Sequence, residues 1–459
     1  MAAEVTTPTF LVHSMPMASM LGSIKGIGES ALRLGAGGVR RRKLIRACRQ
    51  LLSVRGEGAG VSLAVDTLAL YAALPMEEQL AFFQALKTDF SPDPAAVLVA
   101  ATAYAEAPDS ARLAALTAAA EPPRQELLRR LNRAPGGTRA IITMRERLLA
   151  ALPDDRELQQ VDDDFHHLLQ SWFNPGFLRI ARVDWHTPAT LLEQLITHEA
   201  VHEIRGWDDL RRRLQDDRRC FAFFHPALPE EPLIFVEVAL LAEMPAAIEP
   251  LIKIDSVATS QTNFHLAAFY SISNCQPGLR GVSLGNFLIK QVAGLLSAEF
   301  PRLKRFCTLS PIPGFQAWLR RMLEAETARA TLPLPVRRSL EVIEGSIIPL
   351  HDKGFPAWRD ARRIREKAAK DLQRLCAAFL LGVGEADKVT RDAVARFHLN
   401  NGARLDRINL DADLSDKGIK QSLGLMVNYV YDLKTIEQNH EKFVNDTTEA
   451  SRQVRTLVG

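Results

Sequence analysis

Two side chains far apart in the chain have the types that proton-transfer chemistry needs. Ser310 stands in Leu309-Ser310-Pro311-Ile312-Pro313-Gly314-Phe315, and His398 in Phe397-His398-Leu399, next to an Asn400-Asn401-Gly402 turn. Pro311 and Pro313 each lock φ, so the serine hydroxyl sits on stiff backbone. Histidine changes charge close to neutral pH and is the natural proton carrier. A third feature is Gln276-Pro277-Gly278-Leu279-Arg280-Gly281-Val282-Ser283-Leu284-Gly285, between a strand-like and a helix-like run. Its glycines let backbone approach a ligand closely. The free N–H groups and dipole of the following helix favour an anion such as phosphate. Each feature also has a plain structural reading: a Ser-Pro turn at a strand end, a core histidine, an ordinary glycine-containing turn. Together, one serine, one histidine and a phosphate-cradling loop form a small kit for chemistry without a cofactor.

A competing pattern is His198-Glu199-Ala200-Val201-His202, which matches H-E-x-x-H to the letter. On a helix, two histidines four apart could share a zinc ion. The pattern is short, however, and no third-ligand motif follows at a metalloprotease spacing. Glu203 and Arg205 give the segment the look of an ordinary charged helix end. We therefore assign no metal site.

The elements that must hold these residues fall into two halves. From about 40 to 172, segments such as Val61–Leu74, Glu77–Phe90, Ala95–Ala107 and Arg139–Leu152 carry apolar residues at helical spacing. Asp93-Pro94 is a helix cap followed by proline in the first turn, and Pro108-Asp109-Ser110 and Pro153-Asp154-Asp155 restart helices in the same way. This half is rich in alanine and predicts a helical bundle for support or assembly. After Asn174-Pro175-Gly176 the pattern changes. A helix is expected from Pro188 to about Arg205, then strands over Cys220–Phe224, Leu233–Leu241, Ala267–Ser273 and Arg305–Leu309. A helix over Asn286–Glu299, further helices near Phe315–Ala325 and Arg362–Leu381, and a buried strand over Leu423–Tyr431 complete an α+β half. The tail from Thr435 onward reads as polar and helical.

Bulk composition narrows the function classes. With 459 residues, 47% of them hydrophobic, the chain can bury a large core and exceeds one average domain. A net charge of +3 gives no reason to expect nucleic acid or an anionic membrane as partner. Cys48, Cys220, Cys275, Cys307 and Cys376 lack any paired spacing, which suits a reducing compartment. No apolar run is long enough to span a membrane, and a cytoplasmic placement is the simplest. The first 39 residues read as a flexible tail.

The motifs around Ser310 and His398, with Arg280 to Asn286 upstream, resemble those of the malonyl-CoA decarboxylase family. The likeness covers most of the chain and is closer in its second half. It implies a helical oligomerisation domain over 40–172 and, over 173–459, a catalytic domain resembling the GNAT acyltransferase fold. The implied reaction is loss of carbon dioxide from malonyl-CoA to give acetyl-CoA, with no cofactor. The thioester carbonyl can take up the released electrons while the protein positions the carboxylate, stabilises the enolate and supplies a proton. By resemblance His398 is the proton donor, Ser310 the proton acceptor and partner of the carboxylate or enolate, and Tyr431 the support of the histidine. Arg280, Gly281, Val282, Ser283, Leu284, Gly285 and Asn286, with Ser310 and His398, would bind malonyl-CoA. Many animal members have a glutamate where this chain has Ser283, so any role of that acid is absent here or replaced. The family also carries Ala-Val-His at Ala200 to His202, which accounts for His202 without metal. A homotetramer is implied. The loop alone would equally suit a GNAT-type acyltransferase or a non-catalytic acyl-CoA sensor, neither of which needs the serine and histidine.

Overall fold

The computed structural model describes residues 38–282, 284, 288–385, 390 and 392–459. Of the expected tail over 1–39, residues 1–37 lie outside the described residues, and residues 38 and 39 open a helix over 38–53. The chain divides into two compact units. One holds the residues up to Ser171 together with Gly278–Gly281, and the other holds Trp172–Pro277 and Val282–Gly459.

The first unit is helical, as its apolar spacing requires. After the helix over 38–53 come Glu57–Ala72, Met76–Asp89, Pro94–Glu106, Ser110–Ala120, Pro123–Asn132 and Gly137–Ala151, and the helix Gln159–Trp172 runs to the boundary. The Asp93 carboxylate accepts from Ala95 N–H with Pro94 in the first turn, and Asp109 caps the next helix through Arg112 N–H. Each such cap is worth about 1 kcal/mol. These two capped helices pair with each other, yet neither buries a single side chain, and Leu98 and Val99 are about 70% exposed.

The second unit is built on a seven-stranded sheet. Its strands are β1 (Arg179–Val183), β2 (Arg218–Phe224), β3 (Ile234–Leu241), β4 (Leu266–Asn274), β5 (Arg305–Thr308), β6 (Arg404–Asn409) and β7 (Met426–Tyr431). They lie in the order β1-β2-β3-β4-β5-β7-β6. Every neighbouring pair is antiparallel except β4 and β5. β2 is buried along its whole length and β3 along nearly all of it, which fits their largely apolar sequences, interrupted by Arg218 and Arg219 in β2 and Glu237 in β3. The mixed α+β character is the one expected.

Several elements differ from those expected. The helix expected to reach Arg205 covers only Ala189–His198. The Arg362–Leu381 helix is two helices, Arg362–Lys367 and Ala369–Leu380. Leu423 is not in a strand; it closes the helix Asp416–Ser422 in a left-handed conformation, and β7 starts three residues later. The helix expected from Asn286 is described from Leu288.

β4 and β5 create the opening that matters. Their parallel pairing runs from Leu266–Arg305 to Phe269–Thr308 and then stops. Pro311 and Pro313 carry no N–H, so the chain after Ser310 cannot continue a ladder. Ser310 bridges to Val427 of β7 instead. On the other side of β4 a register shift opposite Glu237 and Val238 leaves Tyr270 unpaired, a bulge that re-aims the strand.

Candidate active site

Beyond the end of the β4–β5 pairing lies a cavity of about 470 Å³. β4 contributes Phe269, Tyr270, Ser271, Ile272 and Asn274, the turn after β5 contributes Ser310 and Pro311, and the helix Ala393–Asn400 contributes His398. Among the described residues that line it there is no lysine, arginine, aspartate or glutamate.

β7 acts as a template for Ser310 and His398. Alternate residues of a strand face one way, and Val427, Tyr429 and Tyr431 each hold one part of the site. Ser310 N–H donates to the Val427 carbonyl at 2.8 Å, and Val427 N–H returns a bond to the Ser310 carbonyl at 2.9 Å. The imidazole of His398 stacks on the Tyr429 ring with centroids 4.8 Å apart. His398 Nδ1 lies 2.8 Å from Tyr431 Oη, and His398 Nε2 lies 2.9 Å from Ser310 Oγ. The structure therefore brings together the three side chains singled out as catalytic, from positions up to 121 residues apart in sequence (431 − 310).

The His398 tautomer is assigned from the direction of the Ser310–Thr308 bond. Ser310 Oγ–H donates to Thr308 Oγ1 at 2.8 Å, so its oxygen must accept from His398, and Nε2 carries the hydrogen. Nδ1 is then bare and accepts from the Tyr431 hydroxyl. Burial holds the pKa of His398 down to about 3, so the ring is neutral near pH 7. Burial pushes the Tyr431 phenol well above its usual range, which keeps it a donor.

The residues expected to form the anion loop divide between the units. Gly278–Gly281 belong to the helical unit. There Arg145, paired with Asp162, donates to the carbonyls of Gly278 and Arg280 at 2.9 Å each, and His166 Nε2 bonds the Gly281 carbonyl at 3.1 Å. Only glycine fits at 278, because a Cβ would fall 2.1 Å from the Ile142 carbonyl. Gly281 has φ +83°. Val282 and Leu284 line the cavity of the second unit. Ser283, Gly285 and Asn286 lie outside the described residues.

The H-E-x-x-H segment has a different job. The helix ends at His198, so the two histidines do not share a helical face. Glu199 turns inward and accepts from Val201 N–H, His202 N–H, Ser271 Oγ and Ser273 Oγ at 2.6–3.1 Å. No group of three metal-capable side chains is found among the described residues. His202 is buried, and burial, helped by the charges of Arg213 and Lys417, lowers its pKa to about 3.

Two family models match the chain, one in each half. Residues 90–173 match the family model for the malonyl-CoA decarboxylase N-terminal domain, and residues 176–459 match that for the C-terminal domain. The chain belongs to the malonyl-CoA decarboxylase family. It is 37% identical over 346 residues to the mitochondrial malonyl-CoA decarboxylase of Anser anser anser, covering 72% of this chain and 68% of that protein. Identity to the mitochondrial enzyme of Mus musculus is 36% over 348 residues, covering 72% and 70%. The crystal structure of malonyl-CoA decarboxylase from Rhodopseudomonas palustris is similar with a TM-score of 0.83 and 46% identity, over 91% of this chain and 99% of that one. That from Agrobacterium vitis gives 0.82 and 43%, over 91% and 100%.

Sequence reasoning missed two residues of this family member's site. Thr308 Oγ1 accepts the hydrogen bond of the Ser310 hydroxyl, and Tyr429 forms the floor under His398. The period-two pattern of Val427, Tyr429 and Tyr431 was the available signal for the second. The first depends on Thr308 and Ser310 sharing a strand face two residues apart.

Proposed function

We propose that the chain decarboxylates malonyl-CoA to acetyl-CoA and carbon dioxide, with His398 as proton donor and Ser310 as proton acceptor and partner of the carboxylate or enolate. The observation that carries this is the direction of the hydrogen-bond chain, Tyr431 to His398 to Ser310 to Thr308. It leaves a neutral imidazole whose Nε2–H is donated to Ser310 Oγ at the cavity wall. A neutral donor forms no ion pair with the substrate carboxylate, and the described wall offers no cation to do so. The ground-state carboxylate is thus left poorly stabilised, while the charge that moves onto the thioester oxygen is met by the Ser310 hydroxyl as it turns from Thr308 to the cavity. Interactions that strengthen only towards the transition state are those that raise kcat.

As the carbon–carbon bond breaks, its electron pair enters the thioester to form the enolate. The α-carbon then takes the Ser310 hydroxyl proton while Ser310 Oγ accepts Nε2–H from His398; the Tyr431 hydroxyl, bonded to Nδ1, steadies the negative charge left on the ring, and solvent returns a proton to it. Arg280 to Asn286 serve as the coenzyme A loop in this reading, with the Arg145 and His166 contacts holding its first peptide planes.

Assembly as a homotetramer through the helical unit belongs to the same proposal. The apolar hairpin of Pro94–Glu106 and Ser110–Ala120, with Leu98, Val99 and Leu113 exposed, supports it. A cytoplasmic placement is consistent with five free cysteines and with no described helix long and apolar enough to cross a membrane.

The test is a coupled assay of purified protein with malonyl-CoA alone, following acetyl-CoA. Product without an added acyl acceptor supports the decarboxylase. A thermal shift with malonyl-CoA but no product rejects it.

A further inference from the structure

The Ser310–His398 distance of 2.9 Å joins two segments 88 residues apart, and β7 holds each of them from one side only. A second tie sits on the opposite flank. Asp392 immediately precedes the helix Ala393–Asn400, and its Oδ1 accepts from Ala395 N–H at 2.9 Å, capping the helix that carries His398. Its Oδ2 accepts from Gly314 N–H at 3.0 Å, in the Ser310-Pro311-Ile312-Pro313-Gly314 turn. Asp392 is 2% exposed, so both bonds are made out of water. There is no slack at the second contact, since a Cβ on Gly314 would lie 3.3 Å from Oδ2 and 3.0 Å from the Phe379 ring. The two segments that the carboxylate joins also supply facing parts of the cavity wall, Pro311 from one and Ala393 and Val394 from the other.

We propose that Asp392 is a positioning residue for the reaction, a latch whose two oxygens set the separation of Ser310 and His398. It touches neither substrate nor the reacting atoms; it acts through the backbone of both catalytic segments. A carboxylate suits this place because it accepts on both oxygens. An amide accepts on one, and a serine hydroxyl can cap a helix but is too short to reach Gly314 as well. Capping and latching can therefore be separated by substitution. The inference rests on the decarboxylase reading only for its kinetic arm.

The experiment compares wild-type protein with Asp392→Asn and Asp392→Ser. Each variant is measured for kcat, KM and melting temperature, and the His398 ring nitrogens are followed by NMR in substrate-free protein. Both variants are expected to lower kcat by roughly 10- to 100-fold, the scale on which about 1 Å of misplacement acts. KM should change less than about threefold, in keeping with a defect in geometry rather than binding. Asp392→Ser should keep a near-normal melting temperature, because serine is a good helix cap. The wild-type His398 signals should report the Nε2–H form, and the variants a mixture of the two tautomers. Unchanged kcat and unchanged His398 signals in Asp392→Asn would overturn the latch. So would full kcat in Asp392→Ser, which would leave a cap and nothing more. Should wild-type protein form no acetyl-CoA, the decarboxylase reading fails, and the His398 signals alone decide the latch.

Discussion

Two histidine segments of the second unit invite opposite expectations from sequence and have opposite fates in the fold. His198 to His202 spells a metal motif, whereas His398 is a lone histidine between Phe397 and Leu399. In the structure the motif dissolves, because its helix stops at His198 and Glu199 turns into the protein to hold Ser271 and Ser273. The lone histidine is the one with a hydrogen-bond partner on each ring nitrogen and an aromatic floor. Spacing along a chain matters only if one regular element spans it. β7 provides such an element at period two for Val427, Tyr429 and Tyr431, while the helix before His202 does not last long enough to provide one at period four.

The sharpest way to break this contrast is to remove the side chains that β7 organises. His398→Ala should lower kcat by roughly 10²- to 10⁴-fold, the usual weight of a positioned acid–base group. Ser310→Ala should lower it by about 10²- to 10³-fold, as for an oxyanion donor. Acetyl-CoA formation at saturating malonyl-CoA measures both. If Ser310→Ala raised KM alone, serine would be a binding group, and the template would carry only one catalytic residue.

Glu199 tests the other segment, where the expected effect is on stability. Glu199→Ala leaves two backbone N–H groups and two serine hydroxyls without their acceptor, and should destabilise the protein by about 2–4 kcal/mol. Chemical denaturation of both proteins checks this. Glu199→Gln keeps one acceptor oxygen and should lose clearly less. Equal stability of Glu199→Ala and wild type would show that the motif's acid is not architectural.

How much of this was legible in the sequence depends on whether the signal was local. The capped helices at Asp93 and Asp109 and the apolar strands β2 to β5 announce themselves, because their cause lies within a dozen residues. β1, Arg-Ile-Ala-Arg-Val, and β6, Arg-Leu-Asp-Arg-Ile-Asn, were missed because edge strands carry charge in place of an apolar run. The helix Leu334–Asp352 was hidden by prolines at 333, 335 and 349, of which the first two are tolerated at a helix start. The early end of the helix before His202 has a tertiary cause, the pull of β4 hydroxyls on Glu199. Ser310 and His398 stand out through long, specific motifs, and Tyr431 only through its resemblance to a family tyrosine in Asn428-Tyr429-Val430-Tyr431. Thr308, Tyr429 and Asp392 do not, since their roles exist only once β5, β7 and the helix Ala393–Asn400 meet.

In one respect the two histidine segments should behave alike. His398 and His202 are both buried neutral, with pKa values of about 3 against an ordinary 6.5. Between these values the unfolded chain binds protons that the folded chain does not, so stability rises with pH across this window and is lost as pH falls below about 6.5. Each histidine should contribute about 1.4 kcal/mol per pH unit there. Denaturation midpoints at a series of pH values would show the slope. His202→Gln should remove about half of the histidine part of it and leave kcat nearly unchanged. An unaltered slope would mean that His202 takes up a proton while folded.

The smallest expected effect gives the cleanest division between the segments. If His198 belongs to an ordinary helix end, His198→Ala should change kcat by less than about twofold, as surface-type substitutions away from the site do. Acetyl-CoA formation should also keep the same response to a chelator in His198→Ala as in wild type, since the variant removes one of the two nitrogens that an H-E-x-x-H metal site requires. A large loss of activity in His198→Ala, restored by added zinc, would put the chemistry on the motif after all. It would also leave the Tyr431–His398–Ser310–Thr308 chain as a well-satisfied piece of core.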